Sequence, residues 1–241
     1  MSARLKLGVI ACPSLRPVLD LLAPQAGPEI SLRYLDMALH DRSAAALLEA
    51  LQNTVDRTDD CDAIAIGYGL CNRGIVGLEA RAVPLVLPRA HDCVGLLLGS
   101  TKRYLDQLDA EPGTYFQHAG FLMTRPDEAG ELTFGPASNA SFERLAAQYG
   151  DDAAQYLHQQ LTAFTKHYKR LAFIATPVPD APNFAAQAQA IAASNGLAYH
   201  PLDGDVGWLA RLLQGDWQTE DFLIVQPGQS VGLSGGMIEA T

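Results

Sequence analysis

Basic residues are scarce in this chain: 17 lysines and arginines stand against 27 aspartates and glutamates, a net charge of -10. Proteins that grip nucleic-acid phosphates present a basic face, so nucleic acid is not an expected partner. No apolar run approaches the ~20 residues of a membrane span, and Met1-Ser-Ala-Arg-Leu-Lys6 runs straight into a strand without a signal-peptide apolar core. A cytoplasmic protein without membrane contact is expected. Cysteine is also rare, four in 241 residues. In a reducing compartment four cysteines point to thiols, nucleophiles or metal ligands and away from disulfides. Glycines are plentiful, yet Gly67-Tyr-Gly69 followed by Cys71-Asn-Arg-Gly74 matches neither the phosphate loop nor the dinucleotide fingerprint. Nucleotide binding is therefore not expected. What the chain does have is 48% hydrophobic residues over a length that can bury a core without staples.

The apolar pattern predicts an α/β fold with a mostly parallel sheet. Leu5 to Ala11, Ile30 to Leu35, Ala63 to Ile66 and Val83 to Leu87 read as strands; the short, uniformly apolar ones suit parallel strands covered on both faces. Helices are expected from Ser14 and Pro17 to Leu22, after a cap at Asp41 with Leu47, Leu48, Leu51 and Val55 on one face, over Val94 to Leu98, and from Ser100 or Thr101. From Arg170 the opening pattern returns. Leu171-Ala-Phe-Ile-Ala-Thr176-Pro177 lies over Leu7-Gly-Val-Ile-Ala-Cys12-Pro13, and Asp221 to Gly228 lies over Asp62 to Gly69. Two related βαβαβ halves, Rossmann-like, are predicted: residues 1–112 as the half carrying the cysteines, 113–168 as a mainly helical insertion, and 169–241 as the second half. Within the insertion a polar stretch runs around Pro126 to Gly135, followed by helical patterns from Ser141 to Tyr149 and from Asp151 to about Lys169.

Three of the predicted strands lead into a cysteine: Cys12, Cys71 and Cys93. Open α/β folds bind ligands at the carboxyl ends of their strands, so the three thiols are candidates to meet there. With His91, two positions before Cys93, they make a donor set that suits zinc. The same sulfurs suit an iron–sulfur cluster such as [4Fe-4S] with one open iron. Cys71 stands 59 positions after Cys12 and 22 before Cys93, which is no zinc-finger spacing, so only the fold can join them. Cys61 precedes its strand and is expected at the opposite end, in a structural role. Arg73 and Arg89 each neighbour a candidate thiol and offer a planar fork for a small anionic substrate. Tyr68, inside the glycine turn, can line the same site. His40, His158, His167 and His200 have no partner at a ligand spacing; His118, after Gly113-Thr-Tyr-Phe, is set apart from them by its place near the helices that follow Cys93.

At Tyr68-Gly-Leu-Cys71, at Pro88-Arg89-Ala-His91-Asp92-Cys93 with Leu96-Leu-Leu-Gly-Ser100, and at Gly113-Thr-Tyr115-Phe, the chain resembles a family known as domain of unknown function 1638. Ala11-Cys12 fits as well, while Phe121 stands where tryptophan is usual. The resemblance implies a link to one-carbon or methyl transfer, since members often neighbour corrinoid-dependent methyltransferase systems, and a corrinoid or methyltransferase protein is the partner it suggests. Three functions compete. One is a metal-dependent enzyme, a transferase, with the three thiolates on zinc or iron. Another is a metal-free enzyme resembling aspartate/glutamate racemases, whose thiol pair moves a proton at a carbon. The last is a non-catalytic metal- or corrinoid-handling partner.

Overall fold

The computed structural model describes residues 4–124, 132 and 142–241. In order it contains β1 (Lys6–Ala11), α1 (Arg16–Leu22), β2 (Glu29–Tyr34), α2 (Ala44–Val55), β3 (Ala63–Gly67), β4 (Leu85–Pro88), α3 (Cys93–Leu97), α4 (Thr101–Ala110), β5 (Thr114–His118) and α5 (Ala119–Thr124). Then come α6 (Phe142–Tyr149), α7 (Asp151–Thr162), β6 (Arg170–Ala175), α8 (Ala181–Ser194), β7 (Ala198–Asp203), α9 (Gly207–Gln214), β8 (Phe222–Val225), β9 (Val231–Ser234) and β10 (Met237–Ala240). The fold is α/β and Rossmann-like. Its main sheet has the order β2-β1-β3-β4-β8; β1 to β4 run parallel and β8 is antiparallel to β4. A second sheet has the order β5-β6-β7, with β5 and β6 parallel. No described helix is long and apolar enough to cross a membrane.

Local sequence explains the elements that frame the main sheet. Every residue of β3 and β4 is buried, as expected of strands covered on both faces. Helix α2 buries Leu47, Leu51 and Val55, spaced at four to keep one face inward. Its cap is Ser43, whose hydroxyl accepts from the Ala46 N–H at 3.3 Å, and not Asp41. Asp41 instead closes a short 3₁₀ turn, Met37–Asp41, that Asp36 caps, so the helix starts two residues later than the acidic cap suggested.

The chain forms two compact units whose boundaries differ from the expected ones. The first takes the chain as far as Leu105 and adds Thr176–Pro179 and Asp203–Thr241; the second comprises Asp106–Ala175 and Asp180–Leu202. Two pairings account for the difference. Thr114-Tyr-Phe-Gln-His118, placed at the head of the expected insertion, is a fully buried strand paired with β6 from Thr114↔Arg170 to His118↔Ile174. Its buried Gln117 and His118 obscure a strand that apolar patterning alone would find. At the other end, the apolar run of β8 does not complete a second βαβαβ set beside β6. It pairs with β4, Leu85↔Val225 to Pro88↔Phe222, and so belongs to the first unit. An apolar run specifies a buried strand without specifying its neighbour or direction. Apart from Leu132, the polar stretch around Pro126 to Gly135 lies outside the described residues, as does the helix start at Ser141, and α7 stops at Thr162 before a 3₁₀ turn, Ala163–His167.

The second unit has its own core, with Tyr115, Leu171, Phe173, Ala188, Ile191 and Ala192 packed between sheet and α8. His118 lies there, fully buried; its Nδ1 accepts from the Gly120 N–H at 3.0 Å, and burial drives its pKa down to about 3. It is a neutral imidazole at physiological pH.

Candidate thiol site

All the candidate residues of the site belong to the first unit, at the carboxyl ends of β1, β3 and β4. Cys12 directly follows β1 and is buried; its N–H bonds to the carbonyl of Gly67, the last residue of β3. Cys71 opens a 3₁₀ turn, Cys71–Arg73, four residues beyond β3. Cys93 is the first residue of α3, whose N-cap Asp92 accepts from the Gly95 N–H at 3.1 Å. The loops bearing Cys71 and Cys93 are laced together, Leu70 N–H to Ala90 C=O at 3.0 Å and Cys71 N–H to His91 C=O at 3.2 Å. Gly69 makes this approach possible, since a Cβ there would stand 2.6 Å from the Asp92 backbone.

The three thiols are electrostatic neighbours. Burial pushes Cys12 up to about 11. Cys71 is raised by burial first, then by Cys12 and by Asp92. Cys93 is raised well above its ordinary value by burial, then by Cys12, Asp92 and Cys71. A helix N-terminus ordinarily lowers a thiol's pKa, but α3 has only five residues, and desolvation together with Cys12, Asp92 and Cys71 outweighs it. Tyr68 is fully buried in the same place; its phenol is raised by burial and then by Cys12, Cys71 and Cys93. Cys71 and Cys93 are residues that solvent partly reaches, although their sulfurs lie deep enough for desolvation to dominate.

Two groups at this site were not singled out as site residues by sequence reasoning. Ser14, fully buried, has its Oγ 2.9 Å from Cys12 Sγ, and its hydroxyl partly offsets the rise at Cys12 and Cys93. Its signal was the sequence Cys12-Pro-Ser14, which reads as a helix start but also folds a polar side chain back towards the thiol through the 3₁₀ turn Pro13–Leu15. Asp92 acts on both Cys71 and Cys93 while capping α3.

The other predicted site residues are placed differently. His91 is 66% exposed, with Nδ1 3.6 Å from Asp92 Oδ2 and its ring beside Tyr104, and it is absent from the groups that perturb the thiols. Arg73 is exposed and sits in the left-handed region at φ 68°, as does Cys71 at φ 42°. Two non-glycine residues held there within three positions indicate a turn dictated by its surroundings. Arg89 is half-buried; its Nε donates to the Thr219 carbonyl at 3.1 Å and its Nη1 to that of Ile238. That fork ties the end of β4 to the C-terminal strands. Cys61 lies at the amino end of the sheet near Gly8. Replacing Arg89 by lysine is expected to lower stability by about 1–3 kcal/mol, because a single ammonium cannot serve both carbonyls. Urea denaturation measures this, and a midpoint equal to that of the native protein would contradict it.

In donor chemistry the site fits a soft metal: three sulfurs from three strand ends, with no competing imidazole among them. As the side chains stand, no group of three or more His, Cys, Asp or Glu residues among those described is arranged to hold a metal ion. The three thiols therefore share one edge of the sheet without standing in metal-ligand arrangement.

Comparison with known proteins adds one match. The profile of a family described as "Protein of unknown function (DUF1638)" matches residues 34–213, a span that includes Tyr68, Cys71, Arg73, Arg89, His91 and Cys93 and begins after Cys12 and Ser14. No curated protein and no solved structure matches the chain.

Proposed function

The chain belongs to DUF1638, whose description states no activity, and from the site itself we propose a cytoplasmic, metal-dependent enzyme in which Cys12, Cys71 and Cys93 hold zinc or, alternatively, an iron–sulfur cluster. The observation that carries this reading is the placement of Cys12, Cys71 and Cys93 at the carboxyl ends of β1, β3 and β4, on loops laced to one another, with Cys12 raising both of the others. Without a cation the fold keeps these thiols neutral; a cation bound among them would favour their thiolate forms and offset the burial that opposes ionisation. When bound, the metal would supply a Lewis acid or activate a thiol-type nucleophile.

The chain's own residues bind and orient. The substrate is a small anion, and the reaction is group transfer, with methyl transfer in one-carbon metabolism as the specific form. A corrinoid or methyltransferase protein is the proposed partner. Arg73, exposed beside Cys71, is the arginine left to meet that anion, because Arg89 already spends its fork on two carbonyls. Tyr68 forms the wall of the site behind the thiols. His91, at the mouth, is placed to orient what enters, but not to complete the sulfur set.

The metal-free, racemase-like reading needs a thiolate as base at neutral pH. Raised thiols work against that, and the second unit contains no cysteine to serve as the opposing acid. Metal analysis of protein purified without oxygen separates the readings. About one zinc, or several irons with a brown colour, is expected, lost on changing Cys12, Cys71 or Cys93 to serine and kept in Cys61→Ser. Stoichiometric metal surviving all three substitutions would refute the site. Catalysis unaffected by complete metal removal, with solvent deuterium entering a substrate α-carbon, would move the assignment to the thiols themselves.

A further inference from the structure

We propose that α7, with the 3₁₀ turn that continues it, is a self-association surface on which the same segment of a second copy of the chain lies antiparallel. The inference goes beyond the thiol site and stands on the second unit alone. Asp151–Thr162 passes into Ala163–His167 without a break, since Ala163 keeps helical backbone at φ -55° and ψ -33°. The two pieces form one rod. Its exposed residues Asp152, Tyr156, Gln159, Ala163 and Lys166 recur at alternating steps of four and three positions. That spacing holds side chains in a stripe along one helix face and is the seam spacing of paired helices. Tyr156 is 65% exposed in the middle of the stripe, and Tyr149, two residues before the rod, is 53% exposed.

The charges on the rod are sorted by end. Asp151 and Asp152 open it and Lys166 stands near its close; no lysine or arginine occurs from Leu145 to Thr165, and no aspartate or glutamate from Ala153 to Pro179. Among the described residues none of Asp151, Asp152 and Lys166 has an ion-pair partner. The helix dipole favours acids at the first end and bases at the last, and the same polarity makes the rod complementary to its own reverse. A two-fold axis near Gln159 sets the acidic end of each rod beside the basic end of the other. It also brings Tyr156 within reach of the second copy's Ala163, a small residue that leaves room for the ring. Such a contact is isologous: one surface serves both partners, and the charge match occurs twice. A second copy is therefore the occupant that the charge pattern selects. From Asp152 to Lys166 the rod spans about 22 Å, short of what an obligate interface needs, so association in the micromolar range is expected.

The test is sedimentation of the full-length protein from about 1 to about 300 μM, a range that brackets a micromolar association. Native protein is expected to shift from the monomer mass to twice that mass. Two variants each reverse one end of the rod: Asp151→Lys with Asp152→Lys, and Lys166→Glu with His167→Glu. Either variant alone is expected to stay monomeric, because like charges then meet at both ends. Mixed in equal amounts, the two are expected to form a dimer with one copy of each, because opposite charges meet again at both ends. Tyr156→Glu, at a side chain that solvent already reaches, is expected to abolish self-association while keeping the native circular dichroism spectrum. It decides alone if a charge variant does not fold. Met237→Glu, equally exposed but in the first unit, is the control and is expected to dimerise as the native protein does. Native protein that stays monomeric over the whole range would overturn the proposal. So would a dimer that persists in Tyr156→Glu, folded charge variants whose mixture stays monomeric, or loss of the dimer in Met237→Glu.

Discussion

In metal-free form the protein is expected to lose on the order of 4 kcal/mol of unfolding free energy between pH 8 and pH 10, a fall due to three thiols. In the unfolded chain these thiols ionise near their ordinary value. In the fold, burial pushes Cys12 up to about 11, and burial together with neighbouring negative charge raises Cys71 and Cys93. The fold thus prefers the neutral thiol. The stability this contributes is complete below the unfolded value and is lost as pH rises towards the folded one, by about 1.4 kcal/mol per pH unit for each thiol. Urea midpoints at pH 7, 9 and 10 measure the slope, compared with a variant carrying serine at positions 12, 71 and 93. If the two proteins lose stability in parallel, the thiols are not the cause and the electrostatic picture of the site fails. On the proposed metal reading the sign would reverse, because thiolate ligands would have to be reprotonated for release and affinity would fall as pH drops.

The reach of the sequence at this site follows from what each residue has to satisfy. Cys12, Cys71 and Cys93 could be picked out because each follows an apolar run, directly or within a few residues, at the end where parallel strands present their loops, and strand ends are set by local pattern. Ser14 could not be picked out, since Cys12-Pro-Ser14 reads as a helix start, and only the 3₁₀ turn Pro13–Leu15 folds its hydroxyl back onto the Cys12 sulfur. Arg89 and Arg73 look alike in sequence, each beside a thiol. What separates them is that the C-terminal strands arrive to accept Arg89's N–H groups, and that depends on β8 turning antiparallel against β4. The fold divides along the same line. The β1-α1-β2-α2-β3 succession is local and legible, with sheet order β2-β1-β3 following from its parallel crossovers. The chain's return from the second unit to the first is a long-range choice, and the apolar content of Phe222–Val225 is equally compatible with either sheet.

Gly69→Ala is expected to cost about 2–4 kcal/mol and to scatter the site. The added Cβ would stand 2.6 Å from both the Cα and the N of Asp92 and 2.9 Å from its carbonyl carbon. No side chain can rotate away from such a contact, because the obstacle is backbone; one loop has to move. The loops are joined just beside the clash by Leu70 N–H to Ala90 C=O and Cys71 N–H to His91 C=O, so moving either strains bonds that align Cys71 with Cys93. Asp92 is also the cap of α3, and displacing its backbone loosens the Gly95 N–H bond and the helix that begins with Cys93. The substitution therefore acts on two thiols without touching a sulfur. Gly27→Ala, where a Cβ meets nothing within 4 Å, is the matched control. Measured together, Gly69→Ala should show a lower urea midpoint and weakened cadmium capture while Gly27→Ala shows neither. Native-like capture by a folded Gly69→Ala protein would mean that the lacing of these two loops is not what brings the thiols together.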